Sequence, residues 1–126
     1  MSRVAVVSVP VTDQDRAAAF YSSYLGFDVI NDAPMGPTMR WVQLGSGDEP
    51  TTLTLTTWLD TMPAGSVSGL VIHVDDADAT RAKMVADDIE CSELDDQPWG
   101  RYFTANDPDG NGLVIAKTLP RESRAT

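Results

Sequence analysis

Histidine and cysteine, the side chains that most often bind metals or attack substrates, are almost missing from this chain: His73 and Cys91 are the single examples. One cysteine excludes an intrachain disulfide and a zinc ribbon, and any metal site would need His73 together with carboxylates. Cations are scarce as well. Nine Lys and Arg stand against nineteen Asp and Glu, for a formal net charge of -10 and a pI near 4.2. That balance argues against nucleic acid and against an anionic membrane surface, and it suits a neutral or cationic small molecule better. No apolar run approaches a membrane span, and Val4 to Val9 lacks the basic flank and long apolar core of a secretion signal. The expectation is a cytoplasmic chain.

What is present is enough for a core: 126 residues, 42% of them hydrophobic, with three Trp. Val4 to Val9 reads as a strand bounded by Pro10. Asp13 or Asp15 can cap a helix that carries Ala17, Ala18, Phe20, Tyr21, Tyr24 and Leu25 at helical spacing and stops at Gly26. Phe27 to Ile30 is a short strand, Asn31 to Pro37 a loop, and Arg40 to Leu44 and Leu53 to Thr57 are two further strands. Beyond them lies Gln97 to Ile115. Here Asp107-Pro108-Asp109-Gly110-Asn111-Gly112 is dense in turn formers, between the alternating Arg101 to Ala105 and the apolar Leu113 to Ala116, which predicts a hairpin.

The second half begins as the first did. Gly69 to Val74 is a strand, Asp75 to Asp78 a capping run, and Ala79 to Val85 helical. Setting Val11 on Val74 also sets Asp13 on Asp76 and Asp15 on Asp78, the mark of an internal duplication in which each half reads strand, helix, three strands. Strand parity then assigns faces. If Leu53 and Leu55 face a helix, Thr52, Thr54 and Thr56 face away from it. By the same rule Val42 and Leu44 leave Trp41 and Gln43 opposite, Leu70, Ile72 and Val74 leave Gly69, Val71 and His73, and Leu113 and Ile115 leave Gly112, Val114 and Ala116. Such a face, small, hydroxylic and aromatic, reads as the wall of a cavity.

Together, VPVTDQDRAAAFYSSYLGFDV in the first half and HVDDADA with PWGRYFTANDPDGNGLVI in the second resemble the vicinal oxygen chelate superfamily, which includes glyoxalase I, extradiol dioxygenases and bleomycin-resistance binding proteins. The resemblance spans Val4 to Lys117. It implies an α+β fold of two βαβββ modules, about 4–58 and 68–118, whose curled mixed sheets enclose a cleft within one domain of residues 1–119, usually in a homodimer. Residues 120–126 would be a flexible tail. In metal-dependent members four inward side chains hold the ion, and those positions fall here on Val6, Thr54, Gly69 and Val114. Val and Gly offer no donor, so the resemblance implies neither the usual metal nor any other cofactor.

The remaining candidates are aromatic and hydroxylic. Trp41, Trp58, Trp99 and Tyr102 could stack on a flat ligand, while Gln43, Thr54, Thr56 and His73 could orient its polar edges. Trp99 and Tyr102 either flank an opening or fill the core, and Met35 and Met39 either adapt around a ligand or pack inside. No catalytic residue is assigned. Asp107 and Asp109 read as turn formers and Cys91 as a buried, inert thiol. The function that fits is sequestration, without chemistry, of a cytotoxic natural product, either a cationic glycopeptide or a planar aromatic or quinone drug, by a homodimer with clefts at the subunit interface. The rival is a glyoxalase-like lyase or isomerase, metal-free through His73 or Tyr102 or using a non-standard metal set; a third reading is a domain that binds a common metabolite.

Overall fold

A computed structural model describes residues 2–118, so the expected tail over 120–126 lies outside the described residues. The elements are β1 (Val6–Pro10), α1 (Gln14–Leu25), β2 (Asp28–Pro34), β3 (Arg40–Gly45), β4 (Thr52–Thr56), β5 (Leu70–Val74), α2 (Ala77–Ala86), β6 (Asp95–Gln97), β7 (Gly100–Asn106) and β8 (Gly112–Thr118). They form an α+β chain with two mixed four-stranded sheets, ordered β1-β4-β3-β2 and β5-β8-β7-β6. In each sheet the first strand of the half pairs in parallel with its last, and the other pairings are antiparallel. This is the strand order of the βαβββ module, made twice.

Packing divides the described residues into two compact units: 2–67 together with Asp107–Asn111, and Ser68–Asn106 with 112–118. In the first, α1 begins where Asp13 Oδ1 accepts the Arg16 N–H at 3.0 Å and ends at Gly26, whose φ of 72° is the left-handed conformation glycine adopts freely. Ala17, Tyr21 and Leu25, one turn apart, are buried with Phe20, and the alternate strand residues Val9, Val42, Leu44, Leu53 and Leu55 are buried too. In the second unit Asp76 Oδ1 accepts from the Ala79 N–H at 3.0 Å, so the duplicated Asp caps both helices. Glycine is absent from the end of α2, and Asp88 takes the positive φ (63°) instead.

The duplication extends to a charge cluster that single-strand patterning does not reveal. Arg40, at the start of β3, pairs bidentately with Asp32 of the edge strand β2 (2.8 and 2.7 Å) and reaches Asp15 in the first turn of α1 at 3.0 Å. Arg101 of β7 does the same with Asp78 of α2 (2.7 and 3.4 Å) and Asp96 of the edge strand β6 (2.8 Å). Each guanidinium therefore ties a helix start to a sheet edge.

Two elements differ from expectation. Asn31 to Pro34, read as loop, continues β2: Asn31 pairs with Gln43, Ala33 with Trp41 and Pro34 with Arg40, after a register shift between Val29 and Asn31. Proline is tolerated because it ends an edge strand, where no ladder N–H is needed on the outer side. Asp95–Gln97 of β6 contains no apolar residue and carries no strand signal; its pairing with Arg101 and Tyr102 comes from the hairpin it makes with β7.

The DPDGN turn is part of the first unit. Asp107 is buried, and its carboxylate accepts from the Tyr21 hydroxyl (2.8 Å), the Asn111 side-chain amide (2.9 Å) and the backbone N–H groups of Asp109 and Asn111 (each 2.9 Å). Asn111, also buried, donates to the Pro10 carbonyl at 2.8 Å and accepts from the Val67 N–H at 3.1 Å. Burial first, and then the adjacent Asp107 carboxylate, push the Tyr21 phenol far above its ordinary value. A folded pKa raised above the unfolded one gives stability that is complete below pH about 10 and is lost as pH rises beyond it.

Tyr21→Phe is therefore expected to destabilise by about 1–3 kcal/mol at neutral pH, since it removes a donor from a buried carboxylate, and to flatten the alkaline fall in stability; urea unfolding at neutral and alkaline pH measures both. A second expectation concerns the clamps. Hydrogen bonds from Arg40 and Arg101 hold Asp32 and Asp78 below the usual carboxylate range, and their contribution is lost as pH falls. By NMR titration, Arg40→Met should return Asp32 to an ordinary value and leave Asp78 unchanged.

Candidate functional site

The sheet face of the first unit opposite α1 collects six of the residues singled out in the sequence or their direct neighbours. Register places Gln43 opposite Thr54 on the β3–β4 ladder, Ser8 beside Thr54 and Pro10 beside Thr56 on the β1–β4 ladder. Cross-strand partners share a face, so Trp41, Gln43, Thr52, Thr54 and Thr56 lie together with Ser8. A hydrogen-bonded chain runs across them. The Trp41 indole N–H donates to Gln43 Oε1 at 3.1 Å, Gln43 Nε2 donates to Thr52 Oγ1 at 2.8 Å, and Thr52 Oγ1 donates to the Ala5 carbonyl at 3.2 Å. Asn31 Nδ2 also reaches Gln43 Oε1, at 3.4 Å. The amide of Gln43 is thereby oriented from both sides.

Thr54 and Thr56 differ from Thr52. They are 1% and 2% exposed, and the hydroxyl oxygen of each is buried without a hydrogen-bond partner. Native buried polar atoms are overwhelmingly paired, so two orphans on one strand and one face require a reason. Beside them Trp41 and Trp58, both half-buried, stand with ring centroids 6.4 Å apart and planes tilted by 31°. A depression of about 330 Å³ opens at the carboxyl ends of β1 and β4, lined by Pro10, Val11, Thr12, Thr56, Leu59 and Met62 among others. Met35 and Met39 face each other across the base of the β2–β3 connection, where the Met35 N–H donates to the Met39 carbonyl at 2.8 Å; Met35 is exposed and Met39 half-buried.

The second unit holds the other candidates. Trp99 occupies the tight β6–β7 turn, 47% exposed, and stacks on Tyr102 with centroids 5.1 Å apart and planes 27° from parallel. A hydrogen bond to Asp95, with that residue's charge and some burial, pushes the Tyr102 phenol up. His73 is exposed on β5 and pairs with Ala116, which pairs in turn with Tyr102, so a whole strand separates the imidazole from the phenol. Cys91 is half-buried, donates to the Ile89 carbonyl at 3.5 Å, and burial raises its thiol. Tyr102 is thus partnered by Asp95, and His73 stands apart from that pair.

The metal-ligand positions of the resemblance do not fit an ion. Among the described residues no group of three or more His, Cys, Asp or Glu side chains comes together to hold one. Register also places Ser8, two residues beyond Val6, beside Thr54, and Val71, two beyond Gly69, beside Val114. Either set offers hydroxyls and hydrocarbon only.

A family profile described as Glyoxalase/Bleomycin resistance protein/Dioxygenase superfamily matches residues 3–115. The chain belongs to that superfamily. Among solved structures it is similar to TnmS3, an antibiotic binding protein from Streptomyces sp. CB03234, with 38% identity, a TM-score of 0.85, and coverage of 94% of this chain and 98% of that one. A glyoxalase/bleomycin resistance protein from the same Streptomyces strain is also 38% identical, with a TM-score of 0.80 over 91% of this chain and all of that one (100%). The uncharacterized protein YetH of Bacillus subtilis (strain 168) is 30% identical over 119 residues, 91% of this chain and 98% of YetH. No helix among the described residues is long and apolar enough to cross a membrane.

Titration of the purified chain with Zn²⁺ or Ni²⁺, followed calorimetrically, should give no one-to-one tight site. A stoichiometric metal, displaced by no change at Thr54, would contradict the donor argument.

Proposed function

We propose that this protein binds a cytotoxic natural product and sequesters it unchanged, gripping a flat aromatic portion with tryptophan. The observation that carries the reading is the first unit's sheet face: two indoles beside an oriented Gln43 and two buried, unpartnered threonine hydroxyls. A face of this kind supplies stacking and hydrogen bonds but no group that takes or gives a proton near neutral pH. Similarity to an antibiotic binding protein over nearly the whole of both chains supports the same reading.

Of the two ligand classes, the planar aromatic one fits better. Trp41, Gln43, Thr52, Thr54, Thr56 and Ser8 include no carboxylate, and Asp15, Asp32, Asp78 and Asp96 are already engaged by Arg40 and Arg101. The net charge of -10 would speed the approach of a cationic drug without giving it an ion pair on this face. Trp99 stacked on Tyr102 is a second aromatic surface for the same purpose, and Met35, Met39, Trp58 and His73 complete the proposed contact set. The protein is proposed to act as a homodimer in the cytoplasm.

A screen of planar aromatic and cationic glycopeptide antibiotics by tryptophan fluorescence tests this. The expected result is quenching at about one ligand per subunit, with the compound recovered intact by mass spectrometry and an affinity that hardly changes with salt. Recovery of a chemically altered compound would overturn it. Trp41→Ala should weaken binding by roughly 1–3 kcal/mol with the fold retained by circular dichroism, and light scattering should report two chains per particle.

A further inference from the structure

We propose that Thr54 and Thr56 determine specificity by donating hydrogen bonds to an acceptor on the edge of the bound aromatic, and that they are kept despite making the unliganded protein less stable. This rests on the binding reading given above and specifies the ligand's polar chemistry. Three threonines alternate along β4 on one face, and the proton accounting separates them. Thr52 Oγ1 accepts from Gln43 and donates to the Ala5 carbonyl, so its proton is used. Thr54 and Thr56, on the same face, have no partner, although each is more completely buried than Thr52. Valine has nearly the same shape, suits a buried strand at least as well, and carries no hydroxyl to leave unsatisfied. Nothing in the packing of β4 favours threonine at these two places.

The neighbouring amide sets the polarity. Gln43 Oε1 is occupied by Trp41 and Asn31, and one Nε2 proton goes to Thr52. What Gln43 still offers is its second N–H, a donor. The hydroxyls of Thr54 and Thr56 can donate or accept, but the amide proton can only be donated, so one incoming atom that meets all three is an acceptor: a carbonyl, ether or quinone-type oxygen rather than an ammonium. Thr56 is among the residues that line the depression of about 330 Å³ at the strand ends, and the Trp41–Trp58 ring pair belongs to the same unit.

9-Fluorenone and fluorene are flat neutral tricycles that differ by one carbonyl oxygen, and their binding to the full chain can be followed by amide NMR shifts. Wild-type protein is expected to prefer fluorenone by about three- to tenfold, the size of one neutral hydrogen bond. Thr54→Val and Thr56→Val together should erase that preference, with a melting temperature equal to or above wild type. Thr54→Ser with Thr56→Ser, which keeps the hydroxyls, should retain it. Equal binding of both probes to wild type would overturn the hydroxyl proposal and leave aromatic binding standing; binding of neither would overturn both. A lower melting temperature in the valine variants would mean that the hydroxyls serve the fold, through an internal water for instance, and would also overturn it.

Discussion

A buried carboxylate is the constraint on which the first unit depends. Asp107 accepts four hydrogen bonds, from Tyr21 in α1, from the side chain and backbone of Asn111, and from the backbone of Asp109. A charge in that position would cost several kcal/mol if it were unpaired, so the turn holds one geometry: every donor must be present at once. Asn111 then passes the constraint on, donating to the Pro10 carbonyl at the end of β1 and accepting from Val67. Close by, the Asp109 carboxylate accepts from both the backbone and the hydroxyl of Thr12, at 3.1 and 2.6 Å. Residues distant in sequence are thereby fixed around the carboxyl end of β1, where the depression lined by Thr56 lies.

Around that hub the duplication explains much of the remaining order. Both halves start a helix from an Asp cap, and both pin the helix start to a sheet edge through an arginine held by two aspartates. In each half the residue after that arginine is aromatic: Trp41 after Arg40, Tyr102 after Arg101. The two clamps are not identical, because the bidentate contact goes to the edge strand in one and to the helix in the other. Exposed ion pairs add little stability. Their consistent effect is geometric, holding the backbone beside each aromatic.

Local chemistry made the helices, their caps, Gly26 and the DPDGN hairpin legible in the sequence, since each depends on neighbours a few residues apart. Parity made the faces legible: Gln43 and Thr54, assigned to one face by alternation, are cross-strand partners. Two kinds of feature escaped. Asp95–Gln97 is a strand only because β7 lies beside it, and no side chain in it announces a pleated, half-buried surface. Asn31 to Pro34 carried turn residues that mask an edge strand. The clamps and the Tyr21–Asp107 bond also join residues far apart in sequence, and opposite charges or a lone Tyr do not declare their partners in a one-dimensional pattern. For the site, composition showed hydroxyls facing one way, but only the hydrogen-bond inventory separates the satisfied Thr52 from Thr54 and Thr56.

That separation bears on why a superfamily that contains enzymes would carry a face like this one. On the proposed reading, hydroxyl and amide protons hold a ligand oxygen where an ion would otherwise supply a concentrated charge. Tyr102 has its phenol pushed up by Asp95, His73 stands a full strand away from it, and Cys91 is raised by burial. On the proposed reading the strands of the first unit keep a polarity suited to an acceptor oxygen.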